Sequence, residues 1–390
     1  MLDFDLVMPT KIYFGKNKEE RIGEIIKSFG YTKVLIVIGQ NSVIKSGLLD
    51  KVISKLDENK ITYKVFSGIR PNPTIKECKC CIDLAREFKP DLLLPIGGGS
   101  VIDVAKNVAV GYYYDGDSFD FNLHKVKPSK ALPIGVILTI AASGSEMSNS
   151  CVIQNDDTNI KQGFNDDIVR PIFAIENPEL TYSLPEKQTA YGIVDMIMHT
   201  FERYMVQSDT LEPADSFAEA VLKNIVEASK IYVKNPTDYQ ARSVLMLMSS
   251  YSHNDLTNIG KKKIMPLHAL EHCVSGLYPE VAHAAGLSVL FSAWTRYYLN
   301  YDMDKFDKLG KNVFGLNNPN KLQNCLLAIE EFEKLFEVLQ MPRTFKDLGI
   351  SNPDIDKLVA LFAQDGTRVV GHHVKPLDKD VAKEIFESCR

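Results

Sequence analysis

The stretch DLLLPIGGGSVIDVAK, residues 91–106, decides the fold. An apolar run at 91–96 ends in Gly97, Gly98 and Gly99, and a helical pattern starts near Ser100 with no loop between. Three glycines permit positive φ and let a ligand approach the backbone with no Cβ in the way. The start of the following helix offers free N–H groups and a positive dipole end, a geometry that suits a pyrophosphate. Ser100 is expected to cap this helix with Asp103 completing a capping box. Lys106, two turns in, is expected to point toward the same pocket or into water. The run follows the third strand and lacks the full G-x-G-x-x-G pattern, so by itself it specifies only a βα turn.

Outward from that stretch, the first 180 residues alternate β-rich runs with amphipathic helical segments, as in a parallel sheet covered on both faces. KVLIVI (33–38), TYKVF (62–66) and DLLLPI (91–96) begin about 29 residues apart, the length of a βαβ unit. PIGVILTI from Pro133 and PIFAIE from Pro171 are further strands, with CVIQ (151–154) opening a hairpin. After Ser183 long helical periods take over, as in EPADSFAEAVLKNIVEASKIYV and KLQNCLLAIEEFEKLFEVL. The expected organisation is therefore an α/β dinucleotide-binding domain at 1–180 and an all-α domain at 181–390, joined through NPELTYSLPEK. No internal repeat or low-complexity segment interrupts it.

A second loop, AASGSEMSNS, follows PIGVILTI and gathers Thr139, Ser143, Gly144 and Ser145 at a strand's carboxyl end. In open α/β sheets that edge is where ligands bind.

The helical half carries the metal chemistry. In YGIVDMIMHTFE, Asp195 and His199 stand one helical turn apart and leave the same face. His268 and His272 repeat that spacing in PLHALEHCVSGLYPEVAH, and His283 follows after a short break. Two helices and a loop thus supply Asp195, His199, His268 and His283, whose imidazoles and carboxylate suit Fe2+ or Zn2+. Either pair alone also fits a polar stripe on a solvated face. Both pairs, flanked by apolar residues, favour the metal.

With 45% apolar and 24% charged residues in 390, the chain is an ordinary globular protein long enough for two cores. A net charge of -5, with no like-charge block longer than Lys261–Lys263, leaves no basic surface for nucleic acid. The first residues show no leader pattern and no apolar run is long enough for a membrane, so a cytoplasmic location is expected. Seven cysteines, an odd number, fit a reducing compartment. Cys78, Cys80 and Cys81 are expected to be structural: 78 and 81 share a helix face and 80 does not.

The series PTKIYFG (9–15), GGGSVIDVAK (97–106), IAASGSEM (140–147), LPEKQTAYGIVDMIMHTFE (184–202) and HALEHCVSGLYPEVAH (268–283) resembles the iron-containing (group III) alcohol dehydrogenase family along essentially the whole chain. The resemblance implies a Rossmann-like α/β domain, then an all-helical metal domain, with a dehydroquinate synthase-like architecture and the active site in the cleft between the two. It makes Asp195, His199, His268 and His283 the metal ligands. It sets Gly97, Gly98, Gly99, Ser100 and Asp103 at the dinucleotide, Thr139 and Ser143 along the nicotinamide and ribose, and Lys161 of NIKQGF near the cofactor. His272 matches a histidine beside the reacting centre that is not usually a ligand. Members are often homodimers. This chain departs from the pattern in having fourteen residues, 269 to 282, between His268 and His283, one more than many relatives, and in having His283-Ala284 in place of His-Gly. The extra residue is expected to be absorbed in the turn from Gly276 to Pro279.

After the first strand of the series come Gly39, Gln40 and Asn41, with no carboxylate to engage the ribose hydroxyls and repel a 2'-phosphate. NADP(H) is therefore expected ahead of NAD(H). One carboxylate on a divalent ion leaves a net positive charge to polarise an alcohol or carbonyl oxygen for hydride transfer. His272 is the candidate to relay the hydroxyl proton, or else to orient Asp195 or His268. Apolar residues at Val274, Leu277 and Trp294 suggest an aliphatic alcohol or aldehyde. On the same architecture a polyol or sugar-phosphate dehydrogenase or a dehydroquinate synthase-like lyase is the alternative. A metallohydrolase and a non-catalytic metal scaffold are alternatives of other classes.

Overall fold

The runs of Val, Ile and Leu that carry no alternation predict strands buried on both faces, and in the computed structural model they are. It describes residues 2–206, 213–364, 366–371 and 375–390, so Glu212, the first residue of an expected helix, and Met1 fall outside. The chain divides into two units, Val7–Leu184 and Pro185–Arg390, the latter joined by Leu6 and the described residues before it.

In the first unit the strands are β1 (Lys11–Phe14), β2 (Lys33–Gly39), β3 (Thr62–Ile69), β4 (Leu92–Gly97), β5 (Gly135–Leu138), β6 (Ser150–Asn155), β7 (Ile160–Asn165) and β8 (Phe173–Glu176). Six form one sheet in the order β1-β8-β5-β4-β2-β3, with every pairing parallel. The residues Val34 to Val37 of β2 and Leu92 to Leu94 of β4 are completely buried. From β2 the chain passes to β3 on one side. From β3 it crosses back to β4 and continues to β5 on the other side, so the winding reverses between β2 and β4. That reversal opens a crevice beyond the strands' carboxyl ends, and the pairing of Ile38 with Ile96 brings Gly39 beside Gly97 there. The second strand pair, β6 with β7, is an antiparallel hairpin.

Helix Ile75–Phe88 starts at a capping box in which Thr74 and Glu77 bond each other's backbone N–H. Cys78 and Cys81 face inward and Cys80 outward, as their spacing predicts, and burial pushes the Cys78 and Cys81 thiols well up. Helix Gly99–Gly111 follows β4 directly.

The second unit is helical, and helix Glu186–Met205 is buried along nearly its whole length. A helix buried all round belongs at the centre of its bundle, here against helices Pro213–Lys234, Tyr239–Ser252 and His283–Leu299. Phe201 anchors an aromatic core with Phe291, Trp294, Phe306 and Phe332. No helix among the described residues is long and apolar enough to cross a membrane.

Candidate functional site

The glycine loop lies on the β2–β4 crevice. None of Gly97, Gly98 and Gly99 takes a positive φ; the reason for glycine is crowding. A Cβ on Gly98 would overlap Ile140 Cγ2, one on Gly99 would overlap Ser143 Oγ, and one on Gly97 would stand 2.7 Å from Val101 Cγ2. The expectation of left-handed backbone is corrected accordingly. The second loop therefore lies directly over the first: Thr139 N–H donates to Gly97 O at 3.1 Å, and Thr139 and Ser143 stay half-exposed. Gly98, Gly99 and Ser100 are also half-exposed, while Gln40 and Asn41 are exposed.

The capping box expected at this helix is not formed. The helix begins one residue earlier, at Gly99 with Gly98 as its cap residue, so Ser100 falls inside the first turn. Asp103 instead accepts from Ser145 Oγ at 2.7 Å and from Val152 N–H at 3.0 Å. Burial pushes its carboxyl above the usual range against the pull of Lys106 and these hydrogen bonds. Lys106 points neither to water nor to a ligand. It is fully buried and donates to Ser145 Oγ at 2.9 Å, Ser148 O at 2.9 Å, Ser148 Oγ at 3.1 Å and Ser150 O at 2.8 Å. Burial pulls its pKa down to about 8, opposed by the Asp103 carboxylate. The pair ties the second loop and β6 to the helix, since one Asp103 oxygen is engaged by Ser145 and the other by Val152. Lys161 on β7 donates to Asn72 Oδ1 at 3.1 Å.

In the helical unit Asp195 and His199 leave one face of the central helix, His268 stands in the first turn of helix Pro266–Leu277, and His283 is the first residue of helix His283–Leu299. His283 is thus helical, not a loop residue. The turn between helices Pro266–Leu277 and His283–Leu299 runs from Tyr278 to Ala282 rather than from Gly276 to Pro279, since Gly276 is still helical. Asp195 Oδ1 lies 3.8 Å from His199 Nδ1, 3.8 Å from His268 Nε2 and 3.8 Å from His283 Nε2. Two donors each about 2.1 Å from one ion stand at most about 4.2 Å apart; the donor atoms of Asp195, His199 and His268 gather within 4.8 Å of one another, and His283 joins them through its 3.8 Å approach to Asp195 Oδ1. Asp195 Oδ1, His199 Nδ1 and His268 Nε2 are buried with no hydrogen-bond partner. Each such atom costs about 1–3 kcal/mol, and a cation would satisfy all three at once. The residues fit a divalent metal.

Two carboxylates complete the centre, and sequence reasoning did not single them out. Glu202, fully buried, accepts from Nδ1 of His268 and also from the N–H groups of Leu267 and His268, the latter at 3.3 Å, so it caps the helix that carries its partner. Glu271, also fully buried, accepts from Nδ1 of His283. Such partners fix tautomer and ring orientation and raise the basicity of a ligating imidazole. The signal was an i, i+3 pair in each motif, His199 with Glu202 and His268 with Glu271, but the pairing crosses between helices. A Cβ on Gly286 would crowd Glu271 Cγ at 2.9 Å, so this glycine makes room for the carboxylate.

Without a cation the electrostatics divide the imidazoles. Burial opposes a charge on His268, but Glu202 and Asp195 outweigh it and hold its pKa up at about 9. Burial, then His253 and His268, push His199 well below its usual value. The His272 ring is half-buried, 5.6 Å from that of His283. Glu271, His272 and His283 also bring donor atoms within 4.8 Å of one another. At 25% exposure the His283 side chain is the most open of the four, marking with His272 the accessible side of the centre. Val274 and Trp294 are both fully buried, and the Trp294 ring lies 4.5 Å from that of Tyr298, tilted by 34°, about 16 Å along the helix axis from His283.

A family model described as iron-containing alcohol dehydrogenase matches residues 9–178, and one described as the C-terminal part of the Fe-containing alcohol dehydrogenase family matches residues 189–389. The chain is 38% identical over 389 residues to an NADH-dependent butanol dehydrogenase A of Clostridium acetobutylicum, covering 99% of each. It is 30% identical to the NADPH-dependent aldehyde reductase YqhD of Escherichia coli over the whole of both chains. The crystal structure of an NADH-dependent butanol dehydrogenase A from Thermotoga maritima, 33% identical, superposes with a TM-score of 0.94 over 100% of this chain and 99% of that one.

Proposed function

The chain belongs to the iron-containing alcohol dehydrogenase family, and we propose that it reduces short aliphatic aldehydes and oxidises the matching alcohols, with NADP(H) preferred, at one Fe2+ or Zn2+ held by Asp195, His199, His268 and His283. Membership makes it an NAD(P)-dependent, metal-binding oxidoreductase of alcohols or aldehydes. The observation that carries the metal reading is the set of three imidazole nitrogens at 3.8 Å from one carboxylate oxygen.

When bound, the cation lends Lewis acidity to the substrate oxygen, and the nicotinamide gives or takes the hydride. Asp195 supplies the one full negative charge of the donor set, which leaves a divalent ion electrophilic. Glu202 and Glu271, bonded through Nδ1 of His268 and His283, temper that charge and hold the rings in place. Gly97, Gly98, Gly99 and Ser100 present backbone N–H groups to the pyrophosphate at the start of a helix. Thr139 and Ser143 line the nicotinamide and ribose, and Asp103 acts on them through the loop it holds. Lys161 stands near the cofactor. His272, on the accessible side, holds or passes the hydroxyl proton at a ring nitrogen.

The NADP(H) preference rests on Gly39, Gln40 and Asn41, where no carboxylate stands to repel a 2'-phosphate. The relatives' names lean the other way, since those called NADH-dependent butanol dehydrogenases are more similar to this chain than those named for NADPH or NADP. The substrate class rests on those names, one a butanol dehydrogenase and one an aldehyde reductase. We place the enzyme in the cytoplasm, where its seven free thiols would stay reduced, and expect a homodimer, since Leu2 and Phe4 expose apolar surface that a second copy would cover.

The test is the oxidation of NADPH and of NADH by butanal in anaerobically purified protein loaded with iron or zinc. A higher kcat/KM with NADPH is expected. No coenzyme oxidation with any aldehyde would overturn the reading, and coenzyme-independent hydrolysis would point to a metallohydrolase.

A further inference from the structure

A segment outside both histidine motifs brings another imidazole to the centre. His253 sits where helix Tyr239–Ser252 ends, and its ring centroid lies 4.1 Å from that of His199 with 37° between the planes. On its other flank, the His199 ring stacks on His268 at 4.5 Å and 17°. A flat ring held between two others at van der Waals distance has little freedom to rotate about its last torsion, which is otherwise broad.

The backbone that presents His253 is itself pinned to His199. The buried guanidinium of Arg203 donates through Nη1 to His199 O at 2.7 Å and to Ser252 O at 3.3 Å, so one group joins the ligand's carbonyl to the carbonyl just before His253. Asn254, fully buried, accepts from Leu256 N–H at 3.1 Å, and Asp255 turns the chain at a φ of 75°. His253 is thus delivered from a fixed corner. Among the described residues, Asp195, His199 and His268 gather their ligand atoms within 4.8 Å of one another, and His253 is not one of that group.

We infer that His253 is a positioning residue of the metal centre: its ring sets the rotation of the His199 imidazole and thereby how tightly the donors hold a divalent cation. The inference rests on the reading of Asp195, His199, His268 and His283 as the metal site.

The test uses full-length protein stripped by chelation and titrated with Co2+ against a competing chelator, with the visible spectrum of the bound ion recorded. His253→Ala and His253→Leu are expected to bind Co2+ about 10–100-fold more weakly, the usual cost of losing support for a ligand, with shifted absorption bands. His253→Phe, a flat ring that cannot ligate, is expected to restore most of the affinity and the wild-type bands. Coenzyme binding and the melting transition of the metal-free protein should be the same in all four, which separates positioning from folding. Wild-type protein that takes up no Co2+ would remove the metal-site reading itself. If wild-type protein binds Co2+ and both His253→Ala and His253→Leu match it in affinity and spectrum, the inference is overturned. It is equally overturned if His253→Phe is as weak as His253→Ala.

Discussion

The two halves of the chain build their candidate sites from opposite materials. The dinucleotide cradle is made of backbone and small side chains, and the charges nearest it, Asp103 and Lys106, are spent on each other's surroundings. The metal centre is made of charged and titratable side chains, and at Asp195 Oδ1, His199 Nδ1 and His268 Nε2 a buried atom has no hydrogen-bond partner. In the first half a buried charge means structure already complete. In the second, an unsatisfied buried atom means a ligand is missing from the account. Burial of a polar residue is therefore informative only once its hydrogen bonds have been counted.

The contrast can be broken most forcefully at His268. His268→Ala should remove the bound cation and lower kcat/KM by about 10^3-fold or more, as loss of several kcal/mol of Lewis-acid stabilisation requires. NADPH binding, read by fluorescence titration, should survive; full activity in this variant would remove His268 from the centre. Lys106→Met tests the other half. It strands the enclosed Asp103 carboxylate and should cost about 3–5 kcal/mol of stability in denaturant titration, with the metal content of the surviving folded protein unchanged. A loss of metal in folded protein would show that the two halves are not built as described. Glu202→Gln should weaken metal retention by about 10–100-fold in chelator competition, without touching coenzyme affinity. The smallest effect belongs to Gly98→Ala, whose methyl group must displace Ile140. A shift of about 1.4 kcal/mol would raise the coenzyme KM about tenfold, and an unchanged KM would argue that the loop tolerates a side chain where the cradle leaves no room.

How far the sequence could be read differs in the same way. Strands β2, β4 and β8 announced themselves because a strand buried on both faces is apolar throughout. β1 was quoted only as part of PTKIYFG: it is a short edge strand, partly exposed along its length, and its four residues carry no period. Asp195, His199 and His268 were legible because helical spacing is local, and i, i+4 fixes a shared face whatever the tertiary fold; His283, fifteen positions after His268, has no such spacing. Their supports were not. Glu202 and Glu271 each sit beside one histidine in the chain and bond a different one in space, a distance of 66 residues in the first case and 12 in the second. Asp103 was misread for the same reason, since Ser145 and Val152 lie more than forty positions away. Val274 and Trp294, read as a sign of an aliphatic substrate, are buried, and proximity in sequence to a site residue says little about the direction a helical side chain faces.

The crossed carboxylates carry one last implication. The helix bearing His199 orients His268, and the helix bearing His268 orients His283, so no helix carries the support of its own histidine. Grafting either of the two carboxylate-bearing segments from a cousin enzyme would disturb its neighbour's ligand along with its own. Change in this region must therefore come as concerted substitution across three helices, and swapping single segments is a poor way to re-engineer it.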